Sequence, residues 1–403
     1  MRIALVSDCY WPRVNGVSVS IQTIRDELIR RGHDAIILCP EYPPSWGKAP
    51  REASVRRFAS GASRVSKEDR FIGITAFPAF FRALDRFNPD VIHINTEFSA
   101  NIGARIFAYL RGHPILITSH TDYEDYVCNY IRFVDQGLLR ATVRFLMRLI
   151  FRSADIVIAP SRNQLRLLRS YNIHKRIVVI PTGIKDSFVP QPRESVAAYR
   201  ASLEERFPAL KGKRILLFAG RITVEKNARF LFPVLRRIRS RRKDVALLFA
   251  GDGPARPHIE ALAASSGLAE ACAFMGYVEH SELPLVYASS DVFVFPSKTE
   301  TQGLCTIEAM GTGLPVVAIG EMGTLDVMRG DNGGFMVSGD VAEFADAVLS
   351  LLDDEALRAR KAAEACAWAK QFRIGSTTDR LERLYKVISA RHSHWLTLRS
   401  GIR

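Results

Sequence analysis

Short apolar runs alternate with amphipathic stretches along the 403-residue chain, and the whole alternation occurs twice. In the first half, the apolar runs predict strands at 2–7, 34–39, 90–94, 114–118, 154–159 and 177–181. Between them, helical periodicity predicts helices at 18–31, 76–87, 100–111, 137–153 and 161–170. Apolar strands that alternate with helices predict a parallel sheet covered by helices on both faces.

The same pattern restarts in the second half. Strands are predicted at 213–219, 245–250, 271–275, 291–295 and 315–318, helices near 226–240, 255–266, 282–288 and 303–311, and a helical tail at 343–352, 354–370 and 376–391. The segment 182–212, with two prolines and a charged helix, is interpreted as the linker. We therefore predict an α/β protein with two Rossmann-like, doubly wound parallel-sheet domains, 1–190 and 191–374. They would face a central cleft that binds a ligand at the carboxyl ends of the strands.

Composition excludes several other classes of protein. Apolar residues make up 47% and charged residues 24%, which is typical of a globular protein rather than a disordered one. The six cysteines form no CxxC pair, which argues against a zinc site and favours a reducing compartment. The opening apolar run Ile3–Val6 is too short for a secretory signal, and no run is long enough to span a membrane. A cytoplasmic location is therefore predicted.

Positive charge is concentrated in the first half. The net charge is +14; residues 1–190 hold 27 Lys and Arg against 17 Asp and Glu, and the remainder holds 29 against 25. This asymmetry predicts an anionic partner, which could be nucleic acid, a phosphorylated substrate or an acidic membrane surface. A nucleic-acid binder is disfavoured because the chain lacks helix-turn-helix, zinc-finger and RNP signatures.

Two glutamates eight residues apart follow the predicted strand 291–295. Glu300 stands at the strand end and Glu308 on the next helix, where its carboxylate could accept hydrogen bonds from sugar hydroxyls. Gly303 between them lets a ligand approach the backbone, and the helix N-terminus offers free N–H groups to an anion. The alternative is that both are ordinary surface glutamates.

A pair of cations follows the predicted strand 213–219. Arg221 and Lys226 lie at a strand-to-helix turn, where a guanidinium fork and a point charge could clamp a diphosphate. Solvated surface cations are the alternative.

Gly251-Asp252-Gly253 ends the next strand, but Arg256 replaces the third glycine of a dinucleotide fingerprint, and no P-loop occurs. A nicotinamide enzyme and an NTPase are therefore poorly supported.

The first half contributes two further strand ends. Asn15-Gly16-Val17 has the form of a loop that approaches phosphate or sugar, although a plain turn fits equally. His120 lies among acids and tyrosines, with Tyr123 and Glu124 close behind it, so it could serve as a polar anchor or proton donor.

Four arginines recur at every fourth position of the predicted helix 137–153: Arg140, Arg144, Arg148 and Arg152. Segment 137–176 holds nine cations and one acid, and apolar residues fill much of the rest of the helix. A basic amphipathic helix of this kind suits an anionic membrane surface. A core helix with a solvated polar face is the alternative.

The chain resembles retaining glycosyltransferases of family 4, which have the GT-B fold, over nearly its whole length. The motifs occur in the family's order: Asn15-Gly16-Val17, His120, Gly220-Arg221…Lys226, Gly251-Asp252-Gly253, Glu300…Glu308 and Pro315-Val316-Val317-Ala318. The resemblance implies that the first domain binds the acceptor and the second a nucleotide-sugar. It also implies that the helix 375–403 returns to the first domain.

The resemblance also assigns roles to residues. Arg221 and Lys226 would hold the diphosphate, Glu308 the nucleotide ribose, and Glu300 would lie near the donor sugar. The backbone that would touch sugar or phosphate is that of Thr301, Gln302, Gly303 and Leu304, with Gly16 in the loop of the first domain. His120 would contact the sugar near the reacting centre. Such enzymes need no metal or other cofactor, and nothing in the sequence resembles a metal site.

A branch of the family is favoured by finer features. Thr299-Glu-Thr-Gln-Gly303, Tyr123-Glu-Asp-Tyr-Val127 and the arginine-rich helix resemble bacterial diacylglycerol glucosyltransferases, which use UDP-glucose at anionic membranes. That resemblance implies a peripheral enzyme at the inner face of the cell membrane with a lipid acceptor. Phosphatidylinositol mannosyltransferases that use GDP-mannose, family members with soluble or polysaccharide acceptors, and a sugar-nucleotide epimerase stay open as alternatives.

Overall fold

The computed structural model describes residues 1–47, 52–62, 70–124, 127 and 135–400, and side chains through residue 390 and at 392. The described chain forms two compact units. Unit 1 is Met1–Gly183 together with the segment from Ile374 onward, and unit 2 is Ile184–Arg373. The first unit thus ends at Gly183, seven residues before the predicted boundary at 190, and Asp125, Tyr126 and Cys128 lie outside the described residues.

Unit 1 is built on a seven-stranded parallel sheet. Its strands are β1 (Arg2–Val6), β2 (Asp34–Pro40), β3 (Val55–Phe58), β6 (Val91–Ile94), β7 (Ile115–Thr118), β8 (Ile156–Ala159) and β9 (Ile177–Val179); β4 (Ser60–Ala62) and β5 (Arg70–Ile72) form a separate hairpin. Its first helices are α1 (Gly16–Arg30), α2 (Phe77–Phe87), α3 (Ser99–Arg111), α4 (Gln136–Arg152) and α5 (Arg162–Ser170). The strand order is β3-β2-β1-β6-β7-β8-β9, so the winding reverses between β1 and β6.

Unit 2 repeats the design with a six-stranded parallel sheet. Its strands are β10 (Arg214–Ala219), β11 (Val245–Ala250), β12 (Cys272–Gly276), β13 (Val292–Phe295), β14 (Val316–Ile319) and β15 (Gly334–Val337). Its helices are α6 (Arg193–Arg206), α7 (Leu231–Arg241), α8 (Arg256–Ser265), α9 (Leu283–Ala288), α10 (Leu304–Gly311), α11 (Thr324–Val327), α12 (Val341–Asp353) and α13 (Glu355–Ala369). The order β12-β11-β10-β13-β14-β15 reverses between β10 and β13. In open α/β sheets such a reversal opens a crevice at the carboxyl ends of the strands, where ligands bind.

Two edge strands were missed by the sequence analysis, and one assignment was wrong. β3 contains Arg56 and Arg57, and β15 begins at Gly334; neither shows the continuous apolar run of a central strand, because an edge strand is covered less. The predicted linker 182–212 contains α6, which belongs to unit 2. Arg200 on α6 donates to the carbonyl of Ser289 at 2.6 Å and pairs with Asp291, so this residue attaches the helix to unit 2.

The last helix, α14 (Ile374–Ser400), packs against α1 in unit 1. Arg31 at the end of α1 pairs with Asp379 at 2.6 Å. Beneath the helix, the Tyr385 hydroxyl lies 2.7 Å from Nδ1 of His93, a β6 residue that is 1% exposed, while His93 Nε2 lies 2.7 Å from the Thr118 hydroxyl. A buried polar chain therefore ties the C-terminal helix to the centre of the first sheet.

This buried histidine predicts that unit 1 loses stability in acid. Burial lowers the pKa of His93 to about 3, whereas an unfolded histidine titrates near pH 6.5. Between these values the unfolded state binds one more proton than the folded state, so stability is present above pH 6.5 and falls as the pH falls. The loss is about 1.4 kcal/mol per pH unit, or about 2 kcal/mol at pH 5.

Urea denaturation at pH 7, 6 and 5 measures this slope. We expect His93→Gln to make the slope shallower by the His93 contribution, while His120, whose pKa is also lowered by burial, retains its own. His258→Gln, at an exposed position of unit 2, should leave the slope unchanged. Equal slopes in the wild type and in His93→Gln would show that His93 does not stay neutral in the folded protein.

Candidate active site

The residues that the sequence predicts to bind a donor lie in unit 2, where the winding of its sheet reverses. Gly220 and Arg221 follow β10, and the segment 296–303 follows β13, which is the strand paired with β10. The backbone of Gly220 has φ +136°, and Arg221 is exposed immediately after it. Both halves of the predicted donor site therefore meet at one edge of one sheet.

Lys226 and Glu300 form the ion pair at the centre of this region. The Lys226 ammonium lies 2.5 Å from Glu300 Oε1, which also accepts from the Ser297 hydroxyl at 2.5 Å. Burial favours the neutral amine, but the Glu300 carboxylate outweighs it and raises the pKa of Lys226. The lysine is therefore charged and held in place, with a quarter of its side chain exposed.

Lys226 does not open the long helix that the sequence predicted at 226–240. It ends a single 3₁₀ turn, Val224–Lys226, and Asn227 then takes a left-handed conformation with φ +54° before α7 starts at Leu231. The Asn227 side chain donates to the carbonyl of Pro296 at 3.2 Å, which ties this turn to the segment after β13. The turn, rather than a helix N-terminus, brings the lysine to Glu300.

Glu308 lies one turn into α10 and is buried. The Tyr287 hydroxyl donates to its Oε2 at 3.0 Å, and His280 Nε2 lies 3.3 Å from its Oε1. Tyr287 and His280 were not predicted, because α9 and the loop before it show no motif in the sequence. Tyr287 positions the carboxylate that the resemblance assigns to the ribose, and His280 lies beside it without a hydrogen-bond partner among the described residues.

The segment 301–304 leads into α10 and contains the predicted backbone contacts. Gly303 has φ +81° and occupies the N-cap without a side-chain cap, so the first amides of α10 are left to other acceptors. Gln302 is buried, and Thr301 and Leu304 are half-buried. A helix N-terminus of this kind favours a negatively charged group.

Gly251 and Gly253 lie against the loop that carries Arg221. Gly220 N donates to Ala250 O at 3.0 Å and Ile222 N donates to Asp252 O at 2.9 Å, so the segments after β10 and β11 run side by side. A Cβ on Gly251 would lie 1.9 Å from Gly220 O. These glycines therefore allow the backbone of the Arg221 loop to lie against its neighbour.

Unit 1 also has polar residues at the ends of strands near the point where the strand order of its sheet reverses. Asp8 follows β1, Asn95 and Glu97 follow β6, and His120 follows β7. His120 Nε2 lies 3.2 Å from Asn95 Oδ1, and burial lowers the pKa of His120 to about 4, so its ring is neutral at physiological pH. A neutral imidazole can orient a substrate by hydrogen bonds, but it carries no charge to offer an anion.

The loop at Gly16 has a structural role in addition to the predicted one. The Asn15 side chain accepts from Ser18 N at 2.8 Å, and the Ser18 hydroxyl accepts from Asn15 N at 2.9 Å. This capping box starts α1 and leaves Gly16 exposed at its first position. Binding of donor or acceptor by Gly16 stays a prediction.

The arginine stripe of α4 is only partly available to an external partner. Arg140 and Arg144 pair with the buried Glu124 at 3.1 and 2.8 Å, and together they lower the pKa of its carboxyl group. Arg148 donates to the carbonyl of Tyr171 at 2.9 Å, and Arg152 is exposed. The sequence predicted Glu124 and this stripe as acceptor or membrane residues, whereas the structure pairs three of these five side chains with one another.

The outward side of α4 is apolar, which the sequence analysis did not single out. Only Val143, Met147 and Phe151 of α4 are buried. The neighbouring helix α3 touches α4, since Arg105 donates to the Leu149 carbonyl at 3.4 Å. The exposed apolar side chains of the two helices, here called the α3–α4 face, are Ile102, Ile106, Tyr109, Leu110, Leu138, Phe145, Leu146 and Leu149.

The described residues contain neither a membrane-spanning helix nor a cluster of metal ligands. No helix in the part of the chain that the structure describes is long and apolar enough to cross a membrane. In that same part, no group of three or more His, Cys, Asp or Glu side chains is arranged to hold a metal ion.

Comparison with known proteins identifies the family. Residues 14–188 match the description "Glycosyltransferase Family 4", and residues 213–354 match "Glycosyl transferases group 1". An alpha-monoglucosyldiacylglycerol synthase of Streptococcus pneumoniae is 31% identical over 325 residues, which are 79% of this chain and 71% of that protein. A GDP-mannose-dependent alpha-mannosyltransferase of Mycobacterium tuberculosis is 29% identical over 382 residues, 91% of this chain and 93% of that one. The chain belongs to glycosyltransferase family 4, which confirms the resemblance seen in its motifs.

Solved structures confirm the predicted fold class. HepE of Anabaena in complex with UDP and glucose has a TM-score of 0.76 at 17% identity, covering 96% of this chain and all of that one. Sucrose-phosphate synthase of Thermosynechococcus elongatus has a TM-score of 0.77 at 21% identity, covering 97% and 99%. Both similarities concern the fold, which is GT-B with two Rossmann-like domains.

Proposed function

We propose that this protein is a retaining hexosyltransferase that moves glucose from UDP-glucose to a membrane lipid such as diacylglycerol and forms an α-glycosidic bond. The alpha-monoglucosyldiacylglycerol synthase that it resembles over most of its length carries this proposal. Unit 2 would bind the nucleotide-sugar and unit 1 the acceptor. The neighbouring structure crystallised with UDP and glucose supports a nucleotide-sugar donor of this class.

The donor chemistry is supported by the charges in unit 2. A departing nucleoside diphosphate develops negative charge, which preorganised cations and backbone amides stabilise. Lys226, Arg221 and the first amides of α10 lie at the same edge of the sheet and are suited to this role. These three sources of positive potential would stabilise the departing diphosphate without a metal ion. We therefore propose that transfer needs no metal ion.

The lipid acceptor is supported by the α3–α4 face. Eight large apolar side chains are exposed on two adjoining helices, and Tyr109 is 89% exposed. Clustered apolar exposure with basic residues beside it is typical of proteins that lie on an anionic membrane surface. We therefore propose peripheral association with the inner face of the cell membrane, with Arg152 and the exposed parts of Arg140 and Arg144 beside the lipid headgroups.

Mannosyl transfer from GDP-mannose is the second candidate. It is favoured by the mannosyltransferase of Mycobacterium tuberculosis, which aligns with 91% of the chain and therefore across both units. The same residues of unit 2 would serve either donor, since ribose, diphosphate and hexose are common to both. UDP-glucose and GDP-mannose differ in the nucleotide base and in the orientation of one sugar hydroxyl, so recognition of these two features would decide which donor is used.

A direct assay separates these candidates. The purified chain is given UDP-glucose or GDP-mannose together with diacylglycerol in anionic or neutral vesicles, and the lipid product is quantified. We expect glucosyl lipid from UDP-glucose, formed faster on anionic vesicles. Product from GDP-mannose alone would favour the second candidate. Donor hydrolysis without lipid product would indicate a soluble or polysaccharide acceptor, and donor conversion without any acceptor would indicate an epimerase.

A variant of the α3–α4 face tests the membrane arm of the proposal. We expect Phe145→Glu with Leu149→Glu to weaken binding to anionic vesicles at least about tenfold, because two apolar contacts are lost and two like charges are introduced. Vesicle flotation measures the binding. Ile29→Glu is the matched control, since Ile29 is exposed on α1 and belongs to the opposite side of the sheet. Equal binding of both variants would contradict a role for this face.

A further inference from the structure

Glu97 is a buried carboxyl group that the site described above does not use. It lies three residues after β6, where the winding of the unit 1 sheet reverses, and it is 4% exposed. Its Oε1 is fully enclosed and has no hydrogen-bond partner among the residues that the structure describes. A buried oxygen without a partner costs about 1–3 kcal/mol, so its presence at the ligand edge of a sheet requires an explanation.

The neighbouring carboxyl group, Asp8, is fully occupied. It accepts hydrogen bonds from the Ser99 and Thr96 hydroxyls at 2.6 and 2.8 Å and from the amides of Ala100 and Phe98 at 2.8 and 3.2 Å. Burial raises the pKa of Asp8, and these four donors at the start of α3 oppose that rise. Asp8 therefore holds the start of α3 at the end of β1, whereas Oε1 of Glu97 has no such donor among the described residues.

Glu97 is the second buried carboxyl group at this edge of the sheet. Burial raises its pKa to about 8, the Asp8 charge adds to the shift, and a hydrogen bond with Tyr123 opposes it. Tyr123 is itself buried, and its ring packs edge-on against Phe98 with ring centroids 5.4 Å apart. Of the described groups, Asp8 and Tyr123 are the titratable ones that act on Glu97, so it is protonated and uncharged at pH 7.

We propose that Glu97 binds the hydroxyl group of the acceptor in unit 1, with Oε1 accepting a hydrogen bond from that hydroxyl. This inference rests on the proposed function, in which the acceptor is an uncharged lipid alcohol. A neutral carboxyl group can take one hydroxyl without leaving a charge beside the apolar part of the acceptor. The Asn95–His120 pair follows the same two strands, β6 and β7, and places further hydrogen-bonding groups at this edge.

Two substitutions test the role of Glu97. Glu97→Gln keeps an uncharged oxygen acceptor of the same size, and we expect its acceptor KM at pH 7 to stay within about threefold of the wild-type value. Glu97→Ala removes the acceptor atom, and we expect its acceptor KM to rise about 10–100-fold, the range of one hydrogen bond in a buried site. Affinity for UDP, which depends on unit 2 in the proposed function, is measured for both variants by calorimetry and should match that of the wild type.

The pH dependence of the acceptor KM distinguishes binding by Glu97 from a purely structural role, which would leave this dependence unchanged. Above pH 8 the wild-type Glu97 loses its proton and places a charge beside the acceptor, so the wild-type acceptor KM should rise between pH 7.5 and 9. That of Glu97→Gln should stay flat. Asp34→Asn, an exposed change at the opposite edge of the same sheet, is the control and should follow the wild type.

The outcomes are distinguishable from a failure of the proposed function. If the wild type transfers no sugar to a lipid alcohol, the proposed function fails. If it does, but Glu97→Ala keeps the wild-type acceptor KM while melting at a similar temperature, an enclosed water satisfies Oε1 and the inference is overturned. Loss of transfer in Glu97→Gln at every pH, with normal acceptor binding, would also overturn it, because Glu97 would then act as an ionised base.

Discussion

Replacing Lys226 with alanine is expected to reduce sugar transfer by about 10²–10³-fold, the effect of removing one preorganised donor from a developing negative charge. The structure gives the reason: the ammonium group lies 2.5 Å from Glu300 and is kept charged and directed before any donor binds. Affinity for UDP should fall about 10–100-fold, since hydrogen bonds to charged groups contribute about 1.5–3 kcal/mol. Initial rates with UDP-glucose and calorimetry with UDP measure the two effects.

Lys226→Arg separates charge from geometry. The guanidinium is larger and forked, so it cannot occupy the position of the ammonium against both Glu300 and a phosphate, and we expect most of the loss to persist. Lys243→Ala removes an exposed lysine at the amino end of β11 and should leave the rate unchanged. A rate for Lys226→Ala within about threefold of the wild type would remove this residue from the donor site.

Replacing Gly251 with alanine is expected to destabilise unit 2 by about 3–5 kcal/mol, close to the largest effects of single substitutions. The Cβ would lie 1.9 Å from the carbonyl oxygen of Gly220, and the φ of +149° is one that only glycine adopts readily. Backbone atoms on both sides cannot move aside without breaking the hydrogen bonds between the segments after β10 and β11. Urea denaturation measures the loss, and weaker UDP binding should accompany it.

Gly267→Ala is the matched control for this substitution. Gly267 also has a positive φ, +67°, but a Cβ there would meet nothing within 4 Å. Only the cost of a left-handed conformation remains, about 1–2 kcal/mol. Equal destabilisation by the two substitutions would mean that conformation, rather than the close approach of two chain segments, determines the need for glycine at Gly251.

Much of the fold and the donor site could be predicted from the sequence. The central strands of a parallel sheet are buried on both faces, so they are continuous apolar runs that a reader of the sequence can find. Polar residues directly after such a run lie at the carboxyl edge of the sheet, and this made Arg221, Glu300 and His120 visible. Asn95 and Glu97 follow β6 in the same way, so the same rule would also have identified them.

Other site residues left no signal in the sequence. Tyr287 donates to Glu308 and His280 lies beside it, but they come from a short helix and a loop, and only the packing of α9 against α10 brings Tyr287 there. The edge strands β3 and β15 lack continuous apolar runs. The sequence indicates a turn at Gly251-Asp252-Gly253. The structure shows why glycine is needed there: the backbone of the loop after another strand, β10, lies directly against it.

The arginine stripe shows where local pattern and tertiary structure diverge. Spacing alone placed Arg140, Arg144, Arg148 and Arg152 on one side of a helix, and the structure agrees with that placement. It could not tell that Glu124, which lies outside the helix, pairs with two of them, or that Arg105 of α3 contacts the Leu149 carbonyl of α4.

The sequence by itself determined the two Rossmann-like units, their order, and the residue types at the ends of the central strands, because hydrophobic periodicity and strand-end motifs are local properties. The tertiary structure decided which of those side chains are engaged: Lys226 with Glu300, Glu308 with Tyr287, Asp8 with α3, and Glu97 with one oxygen left unpartnered. Pairing depends on distance in space between segments far apart in the chain, and the pKa of a side chain such as Lys226 or Glu97 follows from its burial and its partner together.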